Sequence, residues 1–411
     1  MLRCLSALLA GLLLLTAAPG ASAALISVAA VPALTAAFKA AACGDEIRVA
    51  PGVYTKWRAG AVARDCSAAP VVITALDPEA PPVFAGGLTL DGWKGVTFRG
   101  VVCDIRTGGA AFAACIVSTG LSAAVTVEDS EIFGLSEPTT LASGAVELEG
   151  VGYGLAGKFS GLVVRRNRFH DLAKGMVVGD SERVSIADND LKNITVDAIV
   201  FGGLIDGEIL RNRIEKKPAP DASTTHADCI QGQKGSRPSL RVRIAFNLCE
   251  APAAGRGTQG VFVADDPAND VIEVVGNTLL NTGYRALSAQ GVGVVVDDNV
   301  ALSQRTDSWA GLYWSGQSGT AAGNTVMKVA SAPAGSLNRL VARATPAEID
   351  AARAAWLARF RPDRKDREIA ELRDQVAAAG VALAAAQAET VRLRGILGQI
   401  AGLASTSSPP P

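Results

Sequence analysis

The stretch VVRRNRF (163–169), followed by VSIADNDL (184–191) and GEILRNRI (207–214), decides the fold. In each, alternating apolar residues lead to an asparagine, and an apolar residue follows two positions on. The pattern returns as VRIAFNLC (242–249), IEVVGNTL (272–279), VVVDDNVA (294–301) and GTAAGNTV (319–326). From Asn167 through Asn189, Asn212, Asn247, Asn277 and Asn299 to Asn324 the steps are 22, 23, 35, 30, 22 and 25 residues. Weaker copies precede it at VTFRGVVC (96–103) and VTVEDSEI (125–132). A second column keeps the period: GMVVG (175–179), AIVFG (198–202), CIQGQ (229–233), GVFVA (260–264), ALSAQ (286–290) and GLYWS (311–315). Two short strands per ~22 residues, with no helical stretch between them, describe one coil of an all-β solenoid. Coils of a parallel β-helix stack at ~4.8 Å. An asparagine at the same turn of each coil can therefore join a hydrogen-bonded ladder, and Asn tolerates the left-handed backbone such bends need. These asparagines read as scaffold, not site. Longer steps mark insertions, before Asn247 and in a loop around 134–158, and insertions on a solenoid tend to lie on its binding face.

Upstream, VPALTAAFKAA (31–41) reads as a short helix and CGDEIRVAPGVYT (43–55) follows it. This GDxIxxxPGxY arrangement, with APVVITAL (69–76) and the FAGG turn (84–87), resembles the start of the pectin-lyase-like right-handed parallel β-helix proteins. With the Asn coils the resemblance covers roughly 30–330. It is closest to the branch with alginate lyases, chondroitinase B and mannuronan epimerases. It implies a right-handed solenoid over 24–330 with an N-terminal helical cap. It does not imply one activity, because that fold hosts lyases, hydrolases, epimerases, tailspikes and adhesins.

The chain has 411 residues, 49% hydrophobic and 19% charged; Lys plus Arg number 39 and Asp plus Glu 40. So even a balance speaks against nucleic acid as partner, and the hydrophobicity excludes global disorder. Residues 1–23, with Arg3, an apolar run from Leu8 to Leu15 and Ala21-Ser22-Ala23, read as a secretory signal peptide. No later stretch is apolar enough to span a bilayer. A secreted or periplasmic location follows. Six cysteines remain after the signal: Cys43, Cys66, Cys103, Cys115, Cys229 and Cys249. An even count in an exported chain favours disulfides. Pairing neighbours in sequence is the preference among about 15 connectivities.

The C-terminal part changes character. Thr345-Pro346-Ala347-Glu348 reads as a capped helix start within a 331–365 linker, the helix running to about Phe360. Over 366–403 a heptad places Ile369, Val376, Leu383, Thr390 and Leu397 at a, and Leu372, Ala379, Ala386, Leu393 and Ile400 at d. Such a seam predicts a coiled coil, and with it a homo-oligomer such as a trimer, or a helix docked on its own solenoid. Residues 404–411 read as a tail.

The chemistry-bearing candidate is STTHADCIQGQ (223–233), after the Asn212 insertion. Aligning coils on it puts Lys174, Asp197, Asp228, Gln259 and Arg285 in one column, expected at a bend and facing solvent. Alternation with Ile230 inward sends Gln231 and Gln233 outward. For β-elimination or epimerisation of a uronate, Arg285 or Lys174 would neutralise the carboxylate and His226 would take the C5 proton. Gln231, Gln233 and Gln259 would bind hydroxyls, with Tyr313 as an outward stacking ring. For hydrolysis, Asp197 and Asp228 would be acid and base. The polygalacturonase segments NTD and GHG are missing. Asp265-Asp266-Pro267 reads as a turn whose carboxylates could help hold Ca²⁺. His170 reads as a structural turn residue and Trp314 as inward packing, with Trp309 in the same aromatic group. The expected partner is an acidic or neutral polysaccharide.

Overall fold

The computed structural model describes residues 24–361, apart from 107–112, 138, 141–145, 148–151, 219–226, 255–256, 284 and 308–309. The expected signal segment, His226, Trp309, the 366–403 heptads and the tail lie outside the described residues.

Strands from Leu25–Val28 to Arg339–Leu340 pair in parallel, each with the strand one coil before and one coil after. The paired strands therefore run past residue 330. The core is a set of in-register columns. On one sheet Met176, Ile199, Ile230, Val261, Leu287 and Leu312 stack, none more than 1% exposed. On the second, Val164, Ile186, Ile209, Ile244, Val274 and Val296 do the same. On the third, Phe169, Leu191, Ile214, Cys249, Leu279 and Ala301 do. Burying each large aliphatic or aromatic side chain contributes roughly 1.5–3 kcal/mol. That repeated gain holds together coils that could not bury a core alone.

The asparagines form the expected ladder. Asn189 Oδ1 accepts from both the backbone N and Nδ2 of Asn167, at 3.0 Å each. Asn212, Asn247, Asn277, Asn299 and Asn324 repeat the motif upward, and Asn338 extends it. Each Nδ2 also reaches a carbonyl, as Asn189 does to Val164. The reason given for Asn needs correction. The left-handed position is the residue before it: Arg166, Asp188, Arg211, Phe246, Gly276, Asp298 and Gly323 all have φ between 52° and 69°. The asparagine is selected because one amide satisfies two donors and a carbonyl in a buried bend. Two of these left-handed residues pair with the left-handed residue one coil before, Arg166 with Asp129 and Arg211 with Asp188.

The first helix spans Val31–Ala40. Its buried Phe38 packs on Trp93 and Trp57, with ring centroids 4.2 and 5.7 Å away. The second helix, Pro346–Phe360, opens on a capping box in which Glu348 accepts from Thr345 N and Oγ1 while Glu348 N donates back to Thr345 Oγ1. Part of the long loop expected at 134–158 is solenoid: Tyr153–Ser160 is a strand stacked on Ala114–Glu128. A two-stranded antiparallel pair, Thr139–Thr140 with Val146–Glu147, stands in the insertion before it. The cysteines join neighbour to neighbour, Cys43–Cys66, Cys103–Cys115 and Cys229–Cys249. Among the described residues no helix is long and apolar enough to cross a membrane.

Candidate functional site

The strand Ala227–Gly232 places the site, and a column of small residues explains its geometry. Gly175, Ala198, Cys229, Gly260 and Ala286 turn into the solenoid. A Cβ on Gly175 would lie 2.7 Å from the Leu191 side chain, and one on Gly260 would lie 2.9 Å from that of Leu279. The residue before each of these is Lys174, Asp197, Asp228, Gln259 or Arg285. The ladder brings those five together as aligned: Gly175 N donates to Asp197 O, Ala198 N to Asp228 O and Gly260 N to Arg285 O. Asp228 and Gln259 are direct register partners.

The solvent-facing expectation for this column is corrected. Asp228 is 0% exposed and Asp197 2%. Gln259 is buried, and Lys174 keeps about a fifth of its side chain in solvent. Charge pairing makes the burial tolerable. Lys174 Nζ lies 2.7 Å from Asp197 Oδ2, and Asp197 Oδ1 accepts from the backbone N of Asp228 at 3.1 Å. The two carboxyls thus sit in unlike surroundings. Burial, then the neighbouring Asp197 charge, pushes Asp228 up to about 8.

Gln231 and Gln233 are likewise not free in solvent. Gln231 is buried and its Oε1 accepts from Gln233 Nε2 at 2.8 Å. The column of Gln231 continues through Phe262 and Ser288 to Tyr313. There the Arg285 guanidinium sits 5.3 Å from the Phe262 ring centroid and 5.8 Å from that of Tyr313. A guanidinium near aromatic rings is attracted by their π-faces. Arg285 and Tyr313 are half-buried, so this end of the site meets solvent while the carboxylates do not.

His170 is held by its neighbours, as expected of a structural residue, but lies within the strand Arg168–Leu172 and not at a turn. Its Nδ1 and Nε2 meet Asp171 and Glu131 at 2.7 and 3.0 Å, and it stacks on Phe133. Trp314 packs partly buried against the core. Asp266 closes a turn by accepting from Ala268 N. Among the described residues no three His, Cys, Asp or Glu side chains gather to hold a metal, so the Ca²⁺ expectation at Asp265-Asp266 finds no cluster there. Lys216 was missed. It lies beneath the Asp197–Asp228 bend, 4% exposed, and burial pulls it down to about 8 against the attraction of both aspartates. The available signal was a lysine at a core position, in register with Ile194 and Leu172.

No family model matches the sequence, and no curated protein matches it. Solved structures do. An alginate lyase from Paenibacillus sp. str. FPU-7 is 17% identical, covers 78% of this chain and 99% of its own, and gives a TM-score of 0.40. A GH136 lacto-N-biosidase from Eubacterium ramulus is 10% identical over 77% of this chain and 68% of its own, at 0.48. The surface adhesin PfbA of Streptococcus pneumoniae is 12% identical over 72% and 81%, at 0.42. These likenesses carry no argument of their own; the fold rests on the ladder register. The chain is a parallel β-helix by its own strand register.

Proposed function

We propose that the protein is exported and acts on a uronate-containing polysaccharide by elimination or epimerisation. One observation carries the reading: a single ladder column aligns Lys174, Asp197, Asp228, Gln259 and Arg285 beside the outer column that contains Tyr313. Arg285, held between two rings at the solvent-reached end, suits a sugar carboxylate, with Tyr313 under the ring. With that carboxylate neutralised, His226 takes the C5 proton. In elimination the C4–O4 bond breaks, a C4=C5 double bond forms, and the departing O4 receives a proton from Asp228, which burial keeps protonated at neutral pH. In epimerisation the same carbanion takes a proton back on its other face. Lys174 pairs with Asp197 and keeps it out of that exchange.

A second reading is a non-catalytic carbohydrate-binding β-helix. The specific observation behind it is that Asp197 and Asp228 are closed from solvent while Arg285 and Tyr313 are not. In both readings the Val31–Ala40 helix caps the solenoid and residues 366–403 join copies of the chain through a coiled coil. Product analysis on a panel of polyuronates and neutral glycans separates them. New ultraviolet absorbance marks elimination, and a changed uronate configuration without cleavage marks epimerisation. New reducing ends without absorbance would mean hydrolysis by Asp197 and Asp228. Binding without any of these leaves the second reading.

A further inference from the structure

Lys216 stands where the solenoid otherwise places hydrocarbon. It ends the strand Arg213–Lys216 and stacks on Ile194, which stacks on Leu172; both are fully buried. A leucine there would gain by burial, whereas an ammonium loses its hydration. Two carbonyls hold it. Nζ donates to Val196 O and, at 3.3 Å, to Asp228 O. Val196 immediately precedes Asp197, so one ammonium grips the backbone of both rungs that carry the carboxylate pair. From the other side, Lys174 and the Asp228 N–H engage the two oxygens of Asp197. The pair is thus held from inside and outside the wall at once.

We propose that Lys216 is a positioning residue for the Asp197–Asp228 pair. It fixes both rungs of the bend from within the solenoid and places a buried positive charge that favours the Asp228 carboxylate. The inference rests on the reading that this pair is the working pair. The charged groups facing Lys216 are Asp197, Asp228 and Lys174, and Asp228 also feels Asp265. Without the Lys216 charge, Lys174 alone among these opposes the two neighbouring aspartates at Asp228. The Asp228 carboxyl then holds its proton to higher pH.

The test is a carboxyl titration of the full chain labelled with ¹³C at aspartate Cγ, the Asp228 signal being the one lost in Asp228→Asn. In Lys216→Met the Asp228 midpoint is expected to rise by about one pH unit or more. In Lys216→Arg, which keeps the charge, it is expected to stay near wild type. An unchanged midpoint in folded Lys216→Met overturns the proposal, since a space-filling role would not set it. Should Lys216→Met fail to fold, the reciprocal measurement decides. Coupling is mutual, so Asp228→Asn must lower the Lys216 midpoint, followed with ¹³C at lysine Cε. A Lys216 midpoint that does not move overturns the proposal equally. Neither titration uses turnover, so a protein inert on every glycan would sink the functional reading and leave this coupling measurable.

Discussion

Asp228 holds a proton that an unfolded chain would give up. Its carboxyl titrates near 3.8 when exposed and near 8 in the folded protein. Between those values the folded state binds more protons than the unfolded one, so stability falls as pH rises from about 4 to about 8. Lys216, lowered from 10.5 to about 8, has the opposite sign above that window: the unfolded lysine binds more protons, and stability rises again. Asp228→Asn keeps the shape and removes the carboxyl. It is expected to flatten the decline between pH 4 and 8, read as the thermal midpoint across that range. Parallel curves for the two proteins would contradict the burial of an acid there. The five-residue column was legible because coil alignment needs only the period. Its burial was not, because four charged residues in five pointed to a bend open to solvent. Lys216 escaped because a lysine beside Lys217, after an Asn bend, looks like an ordinary charged turn.

At the scale of the element, the bends carry the account. Replacing Asn247 by Ala removes the acceptor of both Asn212 donors and the partner of Ile209 O. Leaving such groups buried and unpaired is expected to cost about 2–4 kcal/mol, seen as a lower midpoint in denaturant. A loss below 1 kcal/mol would mean the ladder is incidental. A second bend makes the opposite prediction. Arg183, Asp206, Arg241 and Val271 occupy equivalent left-handed positions, and Val271, with φ 52°, is β-branched and 39% exposed. Val271→Asn is expected to stabilise by about 1 kcal/mol, because Asn tolerates that backbone and valine does not. No gain would mean that valine is held there by contacts worth as much. The Asn repeat was read correctly as a ladder and wrongly as the left-handed residue. The sequence shows which position is invariant in type, whereas the dihedral belongs to its varied neighbour.

At the scale of the molecule, the columns make one continuous core, and the neighbour-to-neighbour disulfides tie adjacent segments of the chain. The period, the capping box at Thr345 and the cysteine pairing could all be read early, since each is a local rule. The solenoid's extension to Arg339–Leu340 could not, because Asn338 follows Asn324 by 14 residues and breaks the period. The heptads at 366–403 carry the proposal of an oligomer. Deleting them is expected to convert a multimer to a monomer in light scattering. The same mass before and after would remove the coiled coil as an assembly device.

The central claim is that the ladder column on the Asp228 strand works on an acidic glycan. The most direct measurement compares turnover of the responsive polyuronate by wild type, Asp228→Asn and Arg285→Ala, each checked for fold by its thermal midpoint. Asp228→Asn is predicted to lose turnover by about 10²–10⁴-fold, the usual worth of a proton-transfer group. Arg285→Ala is predicted to weaken binding of the acidic glycan and not of a neutral one. Full turnover in both folded variants would contradict the account and move the site off this face.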